Sequence, residues 1–102
     1  MSTRTLHTMY GTCTVNPRQD EIVLDGRKDR PDVQYLLHTS RGQQYFYVYR
    51  PAQSAFGEHL MELCASISHD ELQEAIIRKW TEDTLLEYAD LERLIDLGFM
   101  LP

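Results

Sequence analysis

The stretch that most narrows what this chain can fold into is Ser68-His69-Asp70-Glu71, with Ile67 before it and Leu72 after it. Ser68 is placed to accept from the first free N–H groups of a helix, and Glu71, three residues on, to reach back. Ile67 and Leu72 can staple the entry. Asp70 and Glu71 also put negative charge at the positive end of the helix dipole. The pattern predicts a helix that runs to Trp80 and buries Leu72, Ala75, Ile76 and Trp80.

Two further helices are predicted around it. Pro51 suits a first helical position, and Ala52, Ala55, Phe56, His59, Leu60, Leu63 and Cys64 recur at helical spacing after it. On the other side, Thr81 can cap a third helix with Trp80 and Leu85 as its staple. Thr84 with Glu87 offers a second capping box. Its apolar face is Leu85, Tyr88, Leu91, Leu94 and Ile95, Gly98 is a natural stop, and Phe99-Met100-Leu101 returns to the sheet.

The first half reads as strands. Leu6 to Val15 is one strand rich in β-favouring residues, and Asn16-Pro17-Arg18-Gln19-Asp20 is a turn. Glu21 to Leu24 is a short strand ending at Asp25-Gly26, and the charged run 27–32 is a solvated loop. Val33–His38 and Gln44–Tyr49 form a hairpin across residues 39–43. In its second strand Tyr45, Tyr47 and Tyr49 alternate with Phe46 and Val48, so both faces are apolar. Either Phe46 and Val48 face the helices with the tyrosines on a second surface, or the reverse. The fold class expected is α+β: an N-terminal antiparallel sheet of three to four strands, then three helices, winged-helix-like. It forms a single domain over 1–102, β-rich to residue 50 and helical from 51.

Length and composition support one core: 102 residues with six Tyr, three Phe and one Trp hold enough apolar surface. No apolar run approaches the roughly 18 residues of a membrane span. The polar start Met1-Ser2-Thr3-Arg4-Thr5 has no apolar signal region, so a cytoplasmic location is expected. Cys13 and Cys64 read as small buried hydrophobes, with a disulfide left open.

Charge decides more. Residues 1–49 hold six Lys/Arg against five Asp/Glu, a net +1; residues 50–102 hold four against eleven, a net −7. Residues 82–96 alone carry six acids and one Arg, so a recognition helix there would be repelled by phosphates, and DNA binding is disfavoured.

Catalysis finds little support. His7, His38, His59 and His69 are scattered at no metal-binding spacing, so no metal and no cofactor are expected. A His59/Cys64 nucleophile pair reads better as a rim histidine and a core cysteine. The acids of the last helix read as solvated, and the five glycines stand singly, without a phosphate loop.

Three segments carry a family resemblance: Tyr49-Arg50-Pro51-Ala52 through Ala55, Ser68-His69-Asp70-Glu71-Leu72, and Leu94-Ile95-Asp96-Leu97-Gly98-Phe99. Residues 44–101 resemble the PqqD-like peptide-recognition domains of ribosomal-peptide natural-product biosynthesis. The β half is longer here than in that family, and the loop 25–32 departs from it. The resemblance implies a non-catalytic module with a winged-helix-like fold. A precursor's leader peptide would add as a strand beside residues 44–49, in a groove formed with the third helix. The partner-binding residues it implies are Tyr45, Tyr47 and Tyr49 on the strand, with Leu86, Asp90 and Arg93 on the helix.

A competing reading is a small acidic inhibitor or immunity-type protein, of phage or toxin context, that covers a basic enzyme surface by charge mimicry. Glu82, Asp83, Glu87 and Glu92 would form its face. A winged-helix transcription factor is the third reading. In the first two the partner is a protein or peptide, no membrane is involved, and a tyrosine-rich edge strand would permit a homodimer.

Overall fold

The computed structural model describes residues 3–26, 32–51, 62–82 and 88–101. Six strands and two helices lie among them: β1 (Arg4–Thr8), β2 (Gly11–Val15), β3 (Glu21–Asp25), β4 (Gln34–Ser40), β5 (Gln43–Arg50), β6 (Leu63–Ser66), α1 (His69–Glu82) and α2 (Tyr88–Asp96). β1 and β2 form a hairpin of their own, and the other four form an antiparallel sheet in the order β3-β4-β5-β6.

The winged-helix-like expectation of one sheet and three helices is thus corrected in three places. Residues 6–15 are not one strand. Thr8 closes a turn by donating from Oγ1 to Gly11 O at 2.7 Å and accepting from Tyr10 N at 3.2 Å, and Gly11 takes a φ of 112° that few other residues tolerate. The turn is hard to see in sequence because Met9 and Tyr10, both apolar, fill it.

Second, the expected first helix does not reach Cys64. Residues 52–61 lie outside the described residues, but Leu63–Ser66 is a strand paired with Tyr47–Arg50. β5 is apolar on both faces and has β4 on only one side, so a second neighbour satisfies backbone groups that burial would otherwise leave unpaired.

Third, Thr81 lies within a helix rather than at the start of one. It sits in the last turn of α1 with its hydroxyl donating to Ile77 O at 2.9 Å, so the helix passes through the boundary expected after Trp80. Thr84 and the second capping box lie outside the described residues.

The β4–β5 hairpin is as expected but tighter. Ser40 pairs with Gln43, and the two residues between, Arg41 and Gly42, have φ of 54° and 77°. Positive φ at both positions is what a two-residue type I′ turn requires.

Alternation on the sheet separates two cores. Tyr35, Leu37, Phe46 and Val48 face the helices and join Leu72, Ala75, Ile76, Leu94 and Phe99. Leu36, Tyr45, Tyr47 and Tyr49 face the other way, where Leu6 and Val15 of the first hairpin cover them. The molecule is layered as hairpin, sheet and helices. A bulge in β3 between Ile22 and Leu24 turns both Val23 and Leu24 into the helix-side core.

Two of the expected caps form, Ser68 at the start of α1 and Gly98 at the end of α2. Ser68 Oγ accepts from Glu71 N at 3.1 Å. At the other end Gly98 N donates to Ile95 O and Phe99 N to Leu94 O, with Gly98 at φ 91°, which is a Schellman stop. Its hydrophobic pair, Leu94 and Phe99, is buried. The Gln73 amide then clamps the tail by donating to Met100 O and accepting from Met100 N.

Candidate functional site

Among the described residues, the tyrosines and the last helix do not share a groove. Arg93 reaches across to β3 and makes a two-pronged ion pair with Glu21, Nη2 to Oε2 at 2.7 Å. The pairing holds the Glu21 carboxyl below its ordinary pKa, the Arg93 hydrogen bond being the main cause. α2 therefore lies toward the β3 side of the sheet, on the helix face, while Tyr45, Tyr47 and Tyr49 look out of the opposite face. Leu86, Asp83 and Glu87 lie outside the described residues, as do the side chains of Glu82 and Asp90. Glu92 is exposed.

Tyr47 and Tyr49 are not a free contact surface, since carboxylates take both hydroxyls. Tyr47 is 0% exposed, and its hydroxyl donates to Asp20 Oδ2 at 2.6 Å. The same carboxylate accepts from Asn16 N at 3.1 Å and lies 2.9 Å from His38 Nδ1. Asp20 thus ties the β2–β3 turn to the sheet. Burial, helped by the Asp20 hydrogen bond, pushes the Tyr47 pKa far above its usual value, so the phenol stays a donor. Tyr49 donates to Glu62 Oε1 at 2.7 Å, and Arg4 Nε meets that oxygen at 2.6 Å, closing the outer edge of the hairpin onto the sheet. Burial also raises the Cys13 and Cys64 thiols. Both cysteines are free, and protonated thiols at this layer are poor nucleophiles.

The recognisable opening lies elsewhere. β6 ends at Ser66, opposite Tyr47, and one further bond, Ile67 N to Phe46 O at 3.0 Å, completes its pairing. β5 runs on to Gln43. Among the described residues no strand lies beside Gln43–Tyr45 on that side. Phe46 directs its main-chain groups toward β6, so the two-residue period directs those of Gln44 the same way.

A groove of about 700 Å³ opens there. Thr8, Met9, Tyr10 and Tyr45 line it on the hairpin side; Phe46, Ile67, His69 and Glu71 line it on the helix side. The helix wall is anchored: the His69 ring stacks on Phe99 at 4.2 Å, and Phe46 meets both rings edge-on. The hairpin wall is apolar and open, with Met9 91% and Tyr10 84% exposed. Of the expected site residues whose side chains are described, only Tyr45 lines this groove. Gln44 falls within the strand-addition segment expected at 44–49, whereas Met9 and Tyr10 have no counterpart in that expectation; Gly11 is the one sequence signal that a turn would project them.

No group of three or more His, Cys, Asp or Glu that could hold a metal occurs among the described residues, and none of the described helices is long and apolar enough to cross a membrane. Comparison with family models, with curated proteins and with solved structures found no match.

Proposed function

We propose that this chain is a non-catalytic peptide-binding module that accepts an extended segment as an added strand beside Gln43–Phe46. The observation that carries the reading is the overhang of β5 beyond β6, with a groove alongside it. An unpaired strand edge supplies main-chain hydrogen bonds, and flanking side chains read the occupant. The site is shorter than the sequence-based expectation of residues 44–49, because β6 already covers Tyr47–Arg50. A precursor's leader peptide is the occupant that the resemblance of residues 44–101 implies. The proposed setting is the cytoplasm, whose reducing conditions suit two free thiols.

The test is Gln44→Pro. Proline removes the N–H aimed at the groove and is tolerated best on a strand edge. Peptides selected from a display library on the wild-type protein should bind the variant at least roughly fivefold more weakly, the worth of one hydrogen bond of about 1 kcal/mol. Circular dichroism should show the β4–β5 hairpin intact. Binding that survives the substitution but collapses as salt rises would favour the acidic-surface reading instead.

A further inference from the structure

The two walls of the groove differ in chemistry, and strand geometry converts that difference into a sequence preference. Neighbouring residues of an added strand point to opposite faces of the sheet. β5 already shows which face is which: Tyr45 looks toward the hairpin and Phe46 toward the helices. An occupant residue opposite Tyr45 therefore enters the space beside Met9 and Tyr10. The next one, opposite Gln44, enters the space beside Glu71.

The hairpin-side space is lined by two large and almost fully exposed apolar side chains, which an apolar occupant would cover. The helix-side space carries one acid. Glu71 is exposed, its backbone N–H is taken by Ser68 Oγ, and among the described residues no ion pair engages its carboxylate. Among the described residues no Lys or Arg lines the groove, and the chain as a whole carries a net charge of −6. Nothing on that wall would repel a cation by fixed charge, and an anion would meet unfavourable potential from the groove and from the molecule around it.

From this juxtaposition we infer that the groove selects an apolar residue directly followed or preceded by Lys or Arg, the apolar side chain against Met9 and Tyr10 and the cation against Glu71. The inference rests on the strand-addition reading and adds the chemistry of the occupant to it. It gives no role to the acids of the last helix, so it differs from a general attraction of basic partners.

Four fluorescein-labelled heptapeptides with identical threonine flanks form the probe set. Their centres are valine–arginine, valine–glutamate, serine–arginine and serine–serine. Anisotropy titrations at fixed ionic strength should rank valine–arginine first. The valine–glutamate peptide should bind at least about threefold more weakly, the size expected for an exposed ion pair. Glu71→Gln should abolish the arginine-over-glutamate preference while leaving valine over serine in place. Met9→Ser with Tyr10→Ser should do the converse. Equal binding of the arginine and glutamate peptides by the wild type would overturn the charge preference yet leave strand addition standing. An arginine preference that persists in Glu71→Gln would overturn the assignment to Glu71. Binding of the valine–arginine peptide that is unaffected by Gln44→Pro would sink the strand-addition reading, and this inference with it.

Discussion

Tyr47 is the residue at which the tyrosine row changes meaning. In the sequence, three tyrosines at alternate positions look like a contact surface, because nothing local says whether a phenol will find an internal partner. The partner is Asp20, 27 positions away, and only folding of the β2–β3 turn brings it close. The hydroxyl donates to a carboxylate at 2.6 Å within a buried layer, and hydrogen bonds to charged groups contribute roughly 1.5–3 kcal/mol. Tyr47→Phe should lower stability in urea by about that amount. The pH dependence is a sharper check. Folding raises the Tyr47 pKa above its ordinary 10.0. The native state then holds a proton that the unfolded chain releases, so the stabilisation is complete below pH 10 and is lost as pH rises above it. Urea midpoints taken between pH 9 and 11 should fall more steeply for the wild type than for Tyr47→Phe.

At the scale of the element, legibility follows the range of the forces involved. α1 begins where Ser68 and Glu71 say it does, and α2 ends where Gly98 says it does, because capping is settled within a few residues. The same locality makes Gly98 a clean test. Its φ of 91° is a conformation that L side chains rarely adopt, yet an added Cβ would meet only His69 Nε2, at an ordinary 3.8 Å. Gly98→Ala should therefore cost about 1 kcal/mol through backbone strain alone, readable as a lower thermal midpoint with an unchanged binding groove. By contrast, Leu63 and Cys64 fit both a 3.6-residue stripe and a short strand, so the sequence alone places β6 at the end of a helix. What decided between them was the unpaired side of β5, a demand made 13 or more positions upstream. Thr81 failed as a cap for a related reason. A threonine before an acidic stretch suits a helix start, but a helix already running through it can absorb the hydroxyl at the carbonyl four residues back.

For the whole molecule, the lesson lies in the layer that the sequence hid. A chain read as sheet plus helices has one core; this one has two, separated by β3–β6, and the second exists because residues 4–15 fold back on themselves. The groove depends on that layer, since the β1–β2 turn supplies its outer wall. If the hairpin docks as a unit, Leu6, fully buried against Leu36 and Tyr47, is its main anchor. Leu6→Ala should cost about 2–5 kcal/mol. Cys13 and Cys64 report where that cost falls, because both pack against this cluster and both thiols are raised by burial. Both thiols are half-buried, so opening of the layer exposes them further and speeds their reaction with a chromogenic disulfide reagent. A loss of about 2 kcal/mol confined to hairpin docking should speed both thiols together, by up to roughly thirtyfold. Leu94→Ala, an equally buried leucine on the helix side, should then leave their rates near wild type. Equal acceleration in the two variants would mean that both layers open in one step, and that the outer wall of the groove is no more mobile than the sheet it covers.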